Sequence, residues 1–447
     1  MMFFAFILIF ILVSIVSLKT QRKTSSSQTY FVANKEIGMF ALIATLVMTE
    51  LNTSTLLGFT SLGALYGSSA VSLVLVFLVG LLFYAISVAK KWKGFDGVSV
   101  TTFFKRRYND TIGYIAASIL LVAMIGFSAN YIKSLTLIFM PLLPSLNEWV
   151  LSGIFCIVML VISLRGGIRT IIRLDVLSFL ITIIVVPLWL YYAVSFEQTS
   201  DAIVHTESFS TSVLISLVII TMFTYILAPW YGQKMFTAKT TKVAFLSVIV
   251  AAILITVIYG IAILSVSLVA KKIAINIQPQ EVFPYLINHQ LPKFLQGITY
   301  AVLFFIATTT IVGIWNTISS IVIAHNHKAI HNTSLKRSIF ITLGVALLTY
   351  LLANLFIDQI FEKMVLMNIP ISALAFSLLG GFFWKRVNVL ASLISIVVGL
   401  AGGVFCYFYF GEQNYMWYWA MYVIPSSFLS GVVFTFIGQP FFNKEHI

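Results

Sequence analysis

Residues 47–59 read VMTELNTSTLLGF, and the way this stretch is satisfied decides how the chain must fold. It sits within IGMFALIATLVMTELNTSTLLGFTSLGALYG (37–67), a run longer than the roughly 20 helical residues that cross a ~30 Å hydrocarbon core. Thr49, Glu50, Asn52, Thr53, Ser54 and Thr55 crowd six polar side chains into its middle. A carboxylate at the centre of a bilayer costs at least ~2.5 kcal/mol, so it faces a cavity or a partner rather than lipid. A helix that breaks at such a point frees backbone carbonyls. At membrane depth these are tolerated only where they line a cavity or ligate an ion.

The rest of the chain has the same character. Its 447 residues are 60% hydrophobic and 9% charged, with a mean hydropathy of +1.03. A soluble domain is about a quarter charged, so a water-soluble fold is excluded. The short alternating segments of an outer-membrane barrel are absent. The pattern predicts an all-α polytopic membrane protein. About thirteen spans fit: 2–18, 37–66, 69–89, 111–140, 148–164, 174–195, 211–232, 243–270, 293–324, 338–357, 364–384, 388–410 and 416–438. A second interrupted span, 211–232, carries Pro229 in ISLVIITMFTYILAPWYGQKMF. Broken helices in corresponding positions of two halves point to a transporter's binding site. Residues 37–195 and 211–384 are therefore expected to form two five-helix inverted repeats. An N-terminal peripheral helix and cytoplasmic loop (1–36) and two peripheral C-terminal helices with a tail (388–447) would flank them. The outer loop INIQPQEVFPYLINHQLP (275–292) is expected to hold a short interfacial helix.

The net charge of +13 is distributed as a membrane topology, not as a nucleic-acid surface. Basic residues gather in alternate loops: Lys90, Lys91 and Lys93 with Lys105 to Arg107; Arg165, Arg169 and Arg173; Lys234, Lys239 and Lys242; Lys385 and Arg386. Lys271, Lys272, Lys293 and Lys363 are the exceptions. This places the N-terminus outside and the C-terminus in the cytoplasm, as in a bacterial inner (plasma) membrane. The first span lacks a preceding basic region and is followed by KTQRK, so it reads as an uncleaved helix. Cys156 and Cys406 lie in apolar spans and read as small packing residues. HNHKAIH (325–331) has histidines at metal-like spacing but no acidic or thiol ligand nearby, and reads as a solvated loop. No phosphate-cradling or nucleophile-elbow sequence occurs, so neither ATP-driven transport nor an enzyme has support.

Four stretches carry a family resemblance. LNTSTLLGFTSLGALYG (51–67), RGGIRTIIRLD (165–175), APWYGQKMFTAKTTKVA (228–244) and FFIATTTIVGIWNTIS (304–319) resemble successive landmarks of the sodium:solute symporter family. Its members carry proline, sugars, pantothenate, sialic acid and other solutes. The resemblance implies thirteen helices around a ten-helix inverted-repeat core of the leucine-transporter type, working as a monomer. It also implies a Na+ site formed by the carbonyls of Met48, Leu51 and Ile306 and the hydroxyls of Thr309 and Thr310. Oxygen donors suit this hard cation. The family's usual motif has serines where this chain has threonines. Adjacent threonines also have a plainer use, hydrogen-bonding back to the preceding helical turn.

For Glu50 three roles stand open: a cation ligand or attractor, a proton carrier, or a substrate contact. A fourth reading is a neutral acid bonded within the bundle. Proline-type members have an aspartate here and sugar-type members an amide. Asn52 and Thr55 match substrate-contacting positions of sialic-acid-type members, and Tyr225 an aromatic of the broken sixth core helix. The third span lacks the polar substrate ligand of sugar and sialate carriers, which disfavours a polyhydroxylated solute. Asp175 matches a position along the cytoplasmic sodium exit, or caps the next helix. Lys133 would snorkel to the outer interface, meet a substrate carboxylate, or pair with Glu50. The expected function is sodium-coupled symport of a small organic solute. The alternatives are a proton-coupled symporter using Glu50, or a non-transporting sensor or channel.

Overall fold

The computed structural model describes residues 35–97, 99–165, 168–197, 208–273, 277–324 and 335–438, together with five residues near the N-terminus. The first expected span, the two glycines of the RGGIR turn, the HNHKAIH loop and the C-terminal tail lie essentially outside the described residues. Helices of nine residues or more are labelled in chain order: α1 (Met39–Glu50), α2 (Thr53–Tyr66), α3 (Val74–Tyr84), α4 (Asp110–Phe139), α5 (Glu148–Arg165), α6 (Ile168–Ser195), α7 (Thr211–Tyr225), α8 (Pro229–Thr237), α9 (Thr241–Lys272), α10 (Lys293–Ala324), α11 (Leu335–Leu355), α12 (Ala375–Phe383), α13 (Val389–Tyr418) and α14 (Ile424–Ile437).

Both anticipated breaks are present. α1 ends at Glu50, and Asn52 starts α2 as its N-cap, its side-chain oxygen accepting from the Thr55 amide at 2.8 Å. The polar cluster thus has a local cause, because an asparagine competes with the helix and wins where it can cap a new one. α7 stops at Tyr225, and Pro229 opens α8 at a 50° bend. Proline suits a first helical turn, where its missing N–H would have no partner anyway. A short parallel bridge ties the two broken elements at their far ends. Ile37 donates its amide to the Thr237 carbonyl at 3.0 Å and accepts from the Lys239 amide at 2.8 Å.

Seven described helical runs are long and apolar enough to cross a membrane, or nine if each bent pair counts once. α1 and parts of α5 and α11 are shorter apolar helices. The count of thirteen is therefore not established by length and apolarity. One qualifying run, Thr53–Gly94, has 42 residues. At 1.5 Å per residue it would reach about 63 Å, twice a hydrocarbon core, if it were straight. It turns at Gly67, whose φ of +64° is costly for residues with a Cβ. The outer loop forms consecutive short helical turns from Pro279 to Gln290.

Three charge assignments change. α6 begins at Ile168, so Asp175 lies inside the helix and caps nothing. Lys234 belongs to no solvated loop, because it is buried within α8. Lys133 pairs with Glu148 at the start of α5, which removes Glu50 as its partner. Two exceptions to the charge pattern have structural work. Lys272 donates to the carbonyls of Ala193, Val194 and Phe196, capping the end of α6. Lys363 pairs with Glu412 at 2.5 Å and Asp358 at 3.3 Å. Cys156 and Cys406 are buried free thiols.

Gly80 on α3 lets the end of α7 approach. A Cβ there would lie 2.8 Å from the Tyr225 ring and 3.0 Å from Thr221. Gly80→Ala is expected to displace Tyr225 and cost about 1–3 kcal/mol by overpacking, read as a lower unfolding temperature in detergent. Gly94→Ala, where a Cβ meets nothing within 4 Å, serves as the control.

Candidate functional site

The two breaks meet at Glu50, which is only 6% exposed. Its Oε2 accepts from the Tyr225 hydroxyl and its Oε1 from the Tyr231 hydroxyl, both at 2.5 Å. Tyr225 ends α7 and Tyr231 lies in the first turn of α8. The acid at one break is thus held by a phenol from each side of the other. The Glu50 carbonyl, released from the helical ladder, accepts from Tyr259 of α9 at 2.6 Å, from the Asn52 amide at 2.7 Å and from Asn52 Nδ2 at 3.1 Å. Every oxygen of this residue therefore has a donor, as the low local dielectric demands. Tyr84 packs on Tyr231 with ring centroids 5.5 Å apart, and Phe77 stacks on Tyr259 at 4.3 Å.

Of the residues expected to meet substrate, Asn52 and Tyr225 come together with Glu50. Thr55 lies one turn along α2, its hydroxyl 3.3 Å from the Met364 sulfur. Phe59, Phe77, Tyr259 and Phe361 form an aromatic cluster beside it. Asn52 also does structural work as a cap, so its type is explained without a ligand.

The anticipated cation ligands converge between α1 and α10. The Thr310 hydroxyl donates to the Ile306 carbonyl at 2.8 Å and stands 3.4 Å from the Met48 carbonyl. The Thr309 hydroxyl lies 3.3 Å from the same Ile306 carbonyl. Both threonines therefore make the back-bonds expected of such residues, and one of them also reaches the first break. Leu51 is at the break, its amide donating to the Val47 carbonyl at 2.9 Å. No hydrogen bond among the described residues ties it to α10. Met48, Ile306, Thr309 and Thr310 present only oxygen, a donor set that fits a hard monovalent cation.

Sequence reading missed two residues here. Tyr231 carried no signal beyond lying two residues past Pro229, on the far side of the break from Tyr225. Lys234 was counted with the loop charges, although the next turn of an amphipathic half-helix offered it no certain route to solvent. Its ammonium donates to the Thr45 carbonyl at 2.7 Å and to the Thr49 hydroxyl, and lies 3.7 Å from Asp175 Oδ2. Asp175 is 1% exposed and also accepts from the Thr45 hydroxyl. One small cavity is lined by Thr49, Lys234, Gln233, Thr309, Thr310 and Thr317, so the lysine of this ion pair and the two threonines border the same space.

The family model of the sodium:solute symporter family matches residues 30–399. The chain belongs to that family. The symporter's fold is also that of a Na+-coupled sialic acid symporter, solved substrate-bound and outward-open in a structure described as revealing a novel Na+ site. The two superpose with a TM-score of 0.81 over 98% of each chain, at 14% sequence identity. No curated protein is similar enough to match. Family and apolar helices together make this an integral membrane protein.

The hydrogen bonds at Glu50 predict a thermodynamic coupling. Tyr231→Phe and Tyr225→Phe are each expected to lower stability by about 1–3 kcal/mol, the range for a buried hydrogen bond to a charged group. In a Glu50→Gln background each loss should shrink, because the amide is a weaker acceptor. Unfolding temperatures of the four proteins in each double-mutant cycle measure this; additive losses would contradict it.

Proposed function

We propose that this symporter couples Na+ entry to the import of a small organic solute by alternating access. The single observation that carries this reading is the convergence of Met48, Ile306, Thr309 and Thr310 oxygens at a helix break, in a chain of this family. Leu51 completes the proposed ligand set. Residues 37–195 and 211–384 are the two repeats that rock about the site, and 1–36 and 388–447 are peripheral to them. The protein works as a monomer in a bacterial inner membrane, with its N-terminus outside and its C-terminus cytoplasmic.

The proposed ion bridges α10 and the first break, taking Met48 from the end of α1 and Leu51 from the residue that follows it. Coupling requires that the ion bind the solute-competent state more tightly than the other, since equal affinity for both shifts nothing. A cation drawn between the Met48 carbonyl and the Thr309–Thr310 hydroxyls does this by favouring whichever state holds those oxygens together. The solute would lie on the other side of the break, against Asn52, Thr55 and Tyr225 and beside the aromatic cluster. Glu50 then stands between ion and solute, and its bonds to Tyr225 and Tyr231 transmit movement of one broken helix to the other. Asp175 lies on the route by which the ion leaves toward the cytoplasm.

A second reading is coupling by protons through Glu50. It draws on one observation, that both carboxylate oxygens meet phenol hydroxyls instead of a cluster of neutral carbonyls. Proteoliposomes with an imposed sodium or pH gradient separate the two.

Sodium binding can be read before the solute is known. NaCl, compared with choline chloride, is expected to raise the unfolding temperature of the wild type. The double variant Thr309→Ala, Thr310→Ala should lose that rise while staying monodisperse. A panel of amino acids, small carboxylates and sugars, screened the same way with and without sodium, then identifies the solute. Uptake of that solute should be sodium-driven in the wild type and lost in the double variant. Normal sodium dependence in the variant would refute the assignment, and uptake driven only by a pH gradient and abolished in Glu50→Gln would favour the proton reading.

A further inference from the structure

Thr45, Thr49 and Asp175 surround one point with oxygens: a backbone carbonyl, a hydroxyl and a carboxylate. This is the donor chemistry that holds a hard cation in a membrane protein. The cation found there is covalent to the chain. Lys234 reaches the point from α8 and is 6% exposed, so its ammonium is committed to these partners and not shared with solvent. The same cavity wall carries Thr309 and Thr310, the hydroxyls of the proposed sodium site.

We propose that Lys234 is a tethered cation, filling a second cation position beside the sodium site and holding this protein at one Na+ bound per molecule. The inference rests on the sodium reading of the Met48–Thr310 site and goes beyond it to stoichiometry. Two arguments support it. Asp175 and Lys234 cancel at this position, so a second sodium would add an uncompensated charge to a buried site, and neighbouring buried cations repel strongly at low dielectric. Sterically, the ammonium already occupies the space between the Thr45 carbonyl, the Thr49 hydroxyl and Asp175. Sodium leaving its own site toward Asp175 therefore meets a carboxylate already paired, and is not trapped there. A purely structural ion pair between α6 and α8 would explain the contacts equally well. It would, however, leave the number of bound sodium ions unchanged when the lysine is removed.

Equilibrium binding of radioactive 22Na+ to purified full-length protein in detergent counts the ions. The wild type is expected to bind one. Lys234→Met, which frees the three oxygens and leaves the Asp175 charge, should bind two. Lys234→Met with Asp175→Asn should return to one, because the added site loses its anion. Lys234→Arg should stay at one. A Lys234→Met protein that is monodisperse and still binds one ion overturns the proposal. Should that variant fail to fold, the wild-type count decides alone, with two ions overturning this proposal. If one of those two is lost in the Thr309→Ala, Thr310→Ala protein, the sodium site itself survives. No bound sodium in the wild type overturns both readings.

Discussion

The carboxylate of Glu50, bonded to Tyr225 and Tyr231, is the interaction on which the rest of this structure depends. A bilayer offers no water to satisfy an interrupted helix, so each freed polar group must find its partner inside the protein. The chain solves this by placing two interruptions against each other. The acid ending α1 receives hydroxyls from both sides of the gap between α7 and α8. Its carbonyl takes a third phenol, from α9. Neither break would be tolerable alone, and each is the other's solvent.

That mutual satisfaction also positions the chemistry. With α1 halted at Glu50, the Met48 carbonyl comes within 3.4 Å of the Thr310 hydroxyl, and the oxygens of α1 and α10 form one neighbourhood. With α8 set off from α7, Lys234 enters the space between α1 and α6 instead of following the apolar path of a continuous helix. The proposed sodium site and the Lys234–Asp175 pair are therefore two consequences of the same pair of breaks. Removing one partner of a buried pair costs about 3–5 kcal/mol, so such a pair also specifies how the two elements dock.

The fold class was legible because its causes are local. Apolar length and low charge fixed a helical membrane protein. The polar run from Thr49 to Thr55 and the proline at 229 marked both breaks to within a few residues. Of the five expected sodium ligands, Met48, Ile306, Thr309 and Thr310 lie close together between α1 and α10. The mistakes share one form. Lys234 was read by its neighbours in sequence, Lys239 and Lys242, but the single turn between Pro229 and Lys234 carries it into the protein. For Asp175 only the alternative of a helix cap falls away: the arginines before it resemble a loop, whereas α6 has already begun at Ile168. Lys133 found its partner fifteen residues on, at Glu148, across the α4–α5 turn.

Sequence by itself thus determined that the chain crosses a membrane as helices, where two of them break, and which oxygen-bearing residues are available there. These follow from hydropathy, capping and proline geometry, which act over a few residues. Only the tertiary structure decided that Glu50 answers to two tyrosines some 175 and 181 positions away, and that Lys234 faces Asp175 and not solvent. Partnership in a low-dielectric interior is set by which helices pack together. Nothing in the spacing of residues along one chain encodes that directly.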